Sequence, residues 1–227
     1  MSSVAERIAE VRGRIASAAA RVGRAPSEVT LVAVTKTVGV PAIGEAIAAG
    51  QAHLGENRAQ ELLGKAAILG ASAAGTGTGP VWHFIGRLQR NKVKMLAPHV
   101  AWWHSIDRPE LAGLLARHAP GVSVYVEVNL GDEPQKGGCD PGAAARLVGV
   151  LTDAGIGVEG LMTIPPEGEE SRPYFGRLRD LADRLGLRGL SMGMTTDFET
   201  AVEEGATVVR VGSAIFGPRR TGADLRR

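Results

Sequence analysis

Residues 31–38 read LVAVTKTV. Six of the eight are β-branched or leucine, which is the composition of a strand buried on both faces, as parallel strands under helices are. Yet Lys36 stands near the end of the run. An ammonium group there suits the C-terminal end of a strand in an α/β fold, where polar chemistry gathers. The test of that reading is whether the run has counterparts.

It has seven. VTLVAV ends at Val34, AHLGE at Glu56, VWHFIG at Gly86 and VAWWHSI at Ile106, and then VSVYVEVN ends at Asn129, VEGLMTI at Ile164, LSMGM at Met194 and TVVRVG at Gly212. Between them lie helix-like segments such as AIGEAIAAG, AQELLGKAAIL, PELAGLLARHA, GAAARLVGVLTDAG and RLRDLADRLG. Eight β-then-α units predict a single (β/α)8 TIM barrel over residues 1–227. An open doubly wound sheet is the alternative, but it calls for a Gly-rich fingerprint after the first strand, and TKTVGVP is not one. A helix precedes the barrel: Val4, Ile8, Val11, Ile15, Ala18 and Val22 form one apolar stripe, with a Ser3/Glu6 capping box and a stop at Gly23.

Composition narrows the function. The chain of 227 residues carries 26 Lys plus Arg against 24 Asp plus Glu, a balance that gives no field for nucleic acid or an anionic membrane. The basic group Arg87, Arg90, Lys92 and Lys94 reads as a solvated helix face, Lys65 as a surface lysine, and PRRTGADLRR at the end as a frayed tail. The single cysteine, Cys139, excludes an internal disulfide. With no leader-like segment and no apolar run near the about 20 residues a bilayer needs, the expected location is the cytoplasm. The five histidines show no metal-binding spacing. Residues 70–80, GASAAGTGTGP, read as a mobile loop and lack the Gly-Lys-Ser/Thr ending of a phosphate loop.

The polar residues at strand ends are few: Lys36, Glu56, Asn57, His83, His104, Ser105, Asn129, Thr163, Thr195, Thr196, Arg210 and Ser213, with Met162 and Gly212 among them. Barrels often bind phosphate through the loops after strands seven and eight. Here SMGMTTD and VRVGSAIFG supply the hydroxyls of Thr195, Thr196 and Ser213, and Gly193 and Gly212 let backbone approach a ligand. The same residues also read as helix caps, Thr196 or Asp197 for FETAVEEG and Ser213 for the last helix. Lys36 reads either as a side chain snorkelling to water or as a Schiff-base lysine. A lysine across from a phosphate cradle fits a ligand with both an aldehyde and a phosphate, as pyridoxal 5′-phosphate has. Arg210, two residues before Gly212, would then face the pyridine nitrogen and keep it unprotonated; its other reading is a barrel-wall salt bridge with Glu127 or Glu159.

The motifs VAVTKT around Lys36, GENRAQE from Gly55, WHFIGRLQRNK from Trp82, EVNLG from Glu127, GLMTIPP from Gly160, SMGMTTDF from Ser191 and VRVGSAIFG from Val209 occur in this order across almost the whole chain. In them the sequence resembles the pyridoxal phosphate homeostasis proteins, which are similar to the N-terminal barrel domain of alanine racemase. The resemblance implies that Lys36 forms the Schiff base and that Asn57 approaches the cofactor. It implies that Thr195, Gly212 and Ser213 meet the phosphate, Thr195 standing where the family more often has Ser, and that Arg210 faces the ring nitrogen. His83, Met162, Ser191 and Thr196 fall inside the same motifs and join the expected cofactor contacts, with a satisfied core histidine and a packing methionine as the other reading of His83 and Met162. Lys136, in EPQKGG, looks like a family lysine near the mouth; a solvated loop lysine reads the same way.

Two classes of function follow. One is a carrier that sequesters the aldehyde and supplies it to apo-enzymes that depend on pyridoxal phosphate. The other is a racemase-like enzyme, which needs an acid opposite the lysine; the related racemases take a tyrosine from a second domain, and this sequence has only Tyr125 and Tyr174 and stops about fifteen residues after Gly212. The expectation is a monomeric, non-catalytic carrier. A Schiff-base aldolase acting on a sugar phosphate is a third reading.

Overall fold

A computed structural model describes residues 2–71, 79–133 and 135–218. Most of the 70–80 segment and nearly all of the C-terminal decapeptide therefore lie outside the described residues. The elements run α1 (Val4–Arg21), β1 (Thr30–Val34), α2 (Val40–Ala48), β2 (His53–Glu56), α3 (Ala59–Leu69), β3 (Val81–Phe84), α4 (Val93–Leu96), β4 (Val100–Ile106) and α5 (Ala112–His118). They continue as β5 (Ser123–Glu127), α6 (Ala144–Asp153), β6 (Gly157–Met162), α7 (Arg172–Arg184), β7 (Gly189–Ser191), α8 (Phe198–Glu203), β8 (Val208–Val211) and α9 (Ser213–Phe216). The strands pair in parallel in sequence order and close through β8 on β1, with Ala33 opposite Val211. This is the (β/α)8 barrel with a leading helix.

The capping box forms as the sequence predicts: Ser3 N–H donates to Glu6 Oε2 at 2.7 Å and Glu6 N–H to Ser3 Oγ at 3.2 Å. The stripe Val4, Ile8, Val11, Ile15 and Ala18 is buried against α2, α8 and α9. Val22 departs from the expected stripe and is exposed, because it caps the helix before Gly23 turns the chain at φ 69°.

Several strands stop short of their apolar runs. β7 ends at Ser191 and not Met194, since Gly193 takes φ 91° and its carbonyl accepts from Arg210 N–H at 2.9 Å. A Cβ on Gly193 would come within 2.5 Å of Ala201 Cβ, so the bare backbone here lets α8 pack close. β5 and β6 end at Glu127 and Met162, which leaves Asn129 and Thr163 in loops. Between β6 and β7 the backbones leave no room for a side chain at Gly160, where a Cβ would lie 1.8 Å from Gly189 O.

The main apolar layer lies between strands and helices. Inside the barrel a smaller cluster of Val32, Tyr125, Met162 and Val208 packs with Trp102. The rest of the interior is polar, which is unusual for a fold whose axis is ordinarily filled by branched apolar side chains. Among the described residues no helix is long and apolar enough to cross a membrane.

Candidate functional site

The chain leaves β1 at Val34 and turns at Lys36 and Thr37, so Lys36 stands just beyond the strand and is half-buried. Thr37 is held at φ 63°, a left-handed conformation that costs a β-branched residue roughly 1 kcal/mol or more. Helix α3 holds this turn from both sides. Lys65 Nζ donates to Thr35 O at 2.7 Å, and Thr37 N–H donates to Glu61 Oε2 at 2.9 Å. Beneath them Glu56 Oε1 accepts from Lys65 Nζ at 2.5 Å and from Thr35 Oγ1 at 2.7 Å. Glu56 is fully buried, and burial pushes its carboxyl above the usual range against the pull of the Lys65 and Thr35 hydrogen bonds. Lys65 is thus not a surface lysine; it is 8% exposed and built into the support of the Lys36 turn.

Beside this turn lies a cluster from the last two loops. Gly212 N–H donates to Thr195 Oγ1 at 3.3 Å, and Ser213 Oγ stands 3.3 Å from the same oxygen. A Cβ on Gly212 would sit 3.4 Å from Val34 O, which places the cluster against the end of β1. Ser213 is the first residue of α9 and does not cap it; Gly212 occupies the cap position. Asp197 precedes α8, but its carboxylate accepts from Met194 N–H at 2.6 Å and caps no helical N–H. Thr196 is exposed.

Arg210 enters the barrel from β8. Its guanidinium donates to Ser191 Oγ at 2.6 Å and to Thr163 O at 3.0 Å, and among the described residues it forms no ion pair with Glu127 or Glu159. The wall salt bridge is therefore absent there. Burial lowers its pKa to about 10, with the charges of Glu127 and Asp197 opposing. Glu127 ends β5 at 8% exposure; burial, reinforced by Asp107, raises its carboxyl to about 7.

That value fixes a pH dependence. A carboxyl raised above its ordinary 4.5 contributes stability that is complete below pH 4.5 and lost as pH rises through about 7. Glu127→Gln should remove this loss, on the order of 3 kcal/mol across the window. Urea denaturation at pH 5 and pH 8 checks it; an unchanged difference between the two pH values counts against the assignment.

The other sequence candidates are dispersed. Met162 packs in the inner apolar cluster. His83 lies inside the barrel with both ring nitrogens engaged, Nε2 at 2.9 Å from His53 Nδ1 and Nδ1 at 2.8 Å from His104 Nε2. Asn57 is exposed after β2; its carbonyl lies so near Gly86 that a Cβ there would stand 2.1 Å away. Lys136 Nζ pairs with Glu133 Oε2 at 2.5 Å and donates to Pro165 O at 3.3 Å. Asn129 folds its own loop, donating to Glu133 O at 2.8 Å.

The residue types suit a ligand carrying an aldehyde, a phosphate and a basic ring. A primary amine stands on a braced turn, an N–H and two hydroxyls cluster against the same strand end, and a guanidinium lies deeper.

A family model described as alanine racemase, N-terminal domain, matches residues 8–220. The chain is 43% identical to the pyridoxal phosphate homeostasis protein of Pseudomonas aeruginosa over 98% of its own length and 99% of the relative's. It is 39% identical to that of Escherichia coli K12, covering 96% and 98%. Among solved structures, PipY of Synechococcus elongatus PCC7942 with PLP bound superposes with a TM-score of 0.80 at 35% identity, over 95% of this chain and all of that one. By sequence over nearly its full length and by its barrel, this chain belongs to the pyridoxal phosphate homeostasis proteins, within the alanine racemase N-terminal domain family.

Proposed function

We propose that this chain, as one domain over residues 1–227, binds pyridoxal 5′-phosphate through Lys36. It then acts in intracellular vitamin B6 homeostasis as a non-catalytic carrier. The observation that carries the reading is the placing of Thr195, Gly212 and Ser213 against the strand that delivers Lys36. It is supported by the family and by the bound PLP of PipY. Bound there, the cofactor would supply an aldehyde for condensation with the Lys36 amine, with water as the leaving group.

The residues divide the work. Thr195, Thr196, Ser213 and the Gly212 N–H hold the phosphate, and Asn57 approaches from the β2 side. Arg210, kept cationic and fixed by Ser191, faces the ring nitrogen and disfavours its protonation, which weakens the ring as an electron sink. Met162 and Ser191 support this end from within the barrel, His83 reaches it through His104, and Lys136 stands at the rim. The two tyrosines favour carriage over racemisation: Tyr125 is buried in the inner cluster, and Tyr174 on α7 donates to Glu169. Apo-enzymes in the cytoplasm are the recipients, and the carrier is a monomer.

An absorption spectrum of the protein with added pyridoxal phosphate, before and after borohydride, tests this. A yellow band that borohydride bleaches, with the label mapped to Lys36, is the expected result. Amino-acid racemisation at about 1 per second or faster would defeat the carrier reading.

A further inference from the structure

The polar interior holds a continuous chain. His53 Nδ1 is 2.9 Å from His83 Nε2, His83 Nδ1 is 2.8 Å from His104 Nε2, and His104 Nδ1 is 2.7 Å from Ser191 Oγ, which accepts from Arg210. The histidines come from β2, β3 and β4 in succession, and Ser191 from β7 across the barrel. His53 is half-buried and, with His83, lines a cavity of about 220 Å³ on the N-terminal face, opposite the Lys36 turn. His83 and His104 are almost wholly buried.

We propose that His53, His83 and His104 are a proton relay through the barrel, joining the N-terminal-face cavity to the Ser191–Arg210 end of the candidate site. A neutral imidazole has one N–H and one bare nitrogen, so three in series form a chain with a direction. With every Nδ1 protonated, a proton arriving from the cavity adds to His53 Nε2. The Nδ1 protons of His53 and His83 then pass to the Nε2 atoms of His83 and His104. The Nδ1 proton of His104 passes to Ser191, whose own hydroxyl proton leaves to a basic ligand atom near Ser191 other than the ring nitrogen, which Arg210 keeps unprotonated. One proton enters, one leaves, and the chain ends with every Nε2 protonated; the reverse transfer restores it.

Burial holds His83 and His104 well below the ordinary imidazole range, which keeps them neutral, as the relay requires. The charged and titratable groups around the chain are Glu28, Glu159 and Arg188 at the cavity, Tyr125 stacked on His104 with centroids 4.6 Å apart, and Arg210 with Glu127 and Asp197 beyond it. Arg210 disfavours a resting imidazolium at His104, and partial burial lowers the His53 imidazole as well, so all three rings rest neutral. Only the ligand end rests on the function proposed above.

The test uses the full chain with 15N-labelled histidine and no added ligand. Nitrogen–nitrogen couplings should link His53 to His83 and His83 to His104. The His104 ring N–H should exchange with water at least about 100-fold faster than the backbone amide of the equally buried Trp103, since it need not await opening of the barrel. His53→Gln keeps a polar side chain that cannot pass a proton on, and should slow that exchange by about tenfold or more; His53→Phe is the second variant should the first not fold. Exchange at the rate of the Trp103 amide in the unmodified protein, or exchange unaltered by either variant, overturns the relay. A missing yellow band with fast exchange would instead overturn the cofactor reading alone.

Discussion

Lys36→Ala is expected to abolish the yellow band and the borohydride-fixed label, and to weaken pyridoxal phosphate binding by on the order of 100-fold, or ~2.7 kcal/mol. The fold should be largely untouched, because Lys36 is half-buried in a turn whose backbone is held on either side by Lys65 and Glu61. Lys36→Arg separates charge from chemistry: a guanidinium stays protonated and offers no nucleophilic amine, so the cation survives while the covalent link does not. Titration by absorbance and peptide mapping read both variants. Persistence of the label in Lys36→Ala, or its appearance on Lys65 or Lys136 in the unmodified protein, would end the assignment.

The second large effect lies behind the site. Lys65→Met leaves the buried Glu56 with its cation gone and one Thr35 hydroxyl as its remaining side-chain donor. Removing one partner of a buried pair costs about 3–5 kcal/mol, because the charge left behind has no compensation. For a chain of this length that corresponds to a melting temperature lower by roughly 6–20 °C. The double variant Glu56→Leu with Lys65→Met, which removes both charges, should recover most of the stability, since apolar replacement of a whole buried pair is often neutral. Thermal melts of the single and double variants decide it; a single variant within about 1 kcal/mol of the parent shows a pair that is solvated in solution.

Much of this was legible beforehand. Eight apolar runs separated by helix-length amphipathic segments leave few architectures, and Lys36 with the Thr195 and Gly212 loops followed from where a barrel keeps its polar residues. The support was not legible. Glu61 and Lys65, four apart on AQELLGKAAIL, look like an ordinary exposed helix pair. Only the packing of α3 on β2 sends both side chains to the backbone around Lys36. The histidine chain left a fainter mark, one inward-facing histidine in each of three consecutive strands. Their contacts depend on how far each strand is staggered around the axis, which no single strand records. The strand ends were overrun for a related reason: Val128, Met192 and their like are apolar because they are buried, whether or not the ladder continues through them.

The bracing of residues 35 and 37 by one helix bears on the speed and cost of capture. A ligand that joins a lysine on a mobile loop must immobilise the main chain as well as the side chain, and fixing the backbone of one residue costs about 1–2 kcal/mol. Here folding has already met that configurational entropy through Lys65 and Glu61, at the expense of an unfavourable Thr37 torsion. On the proposed function, capture at Lys36 would therefore fix little further backbone, and release would return little backbone freedom to help it along.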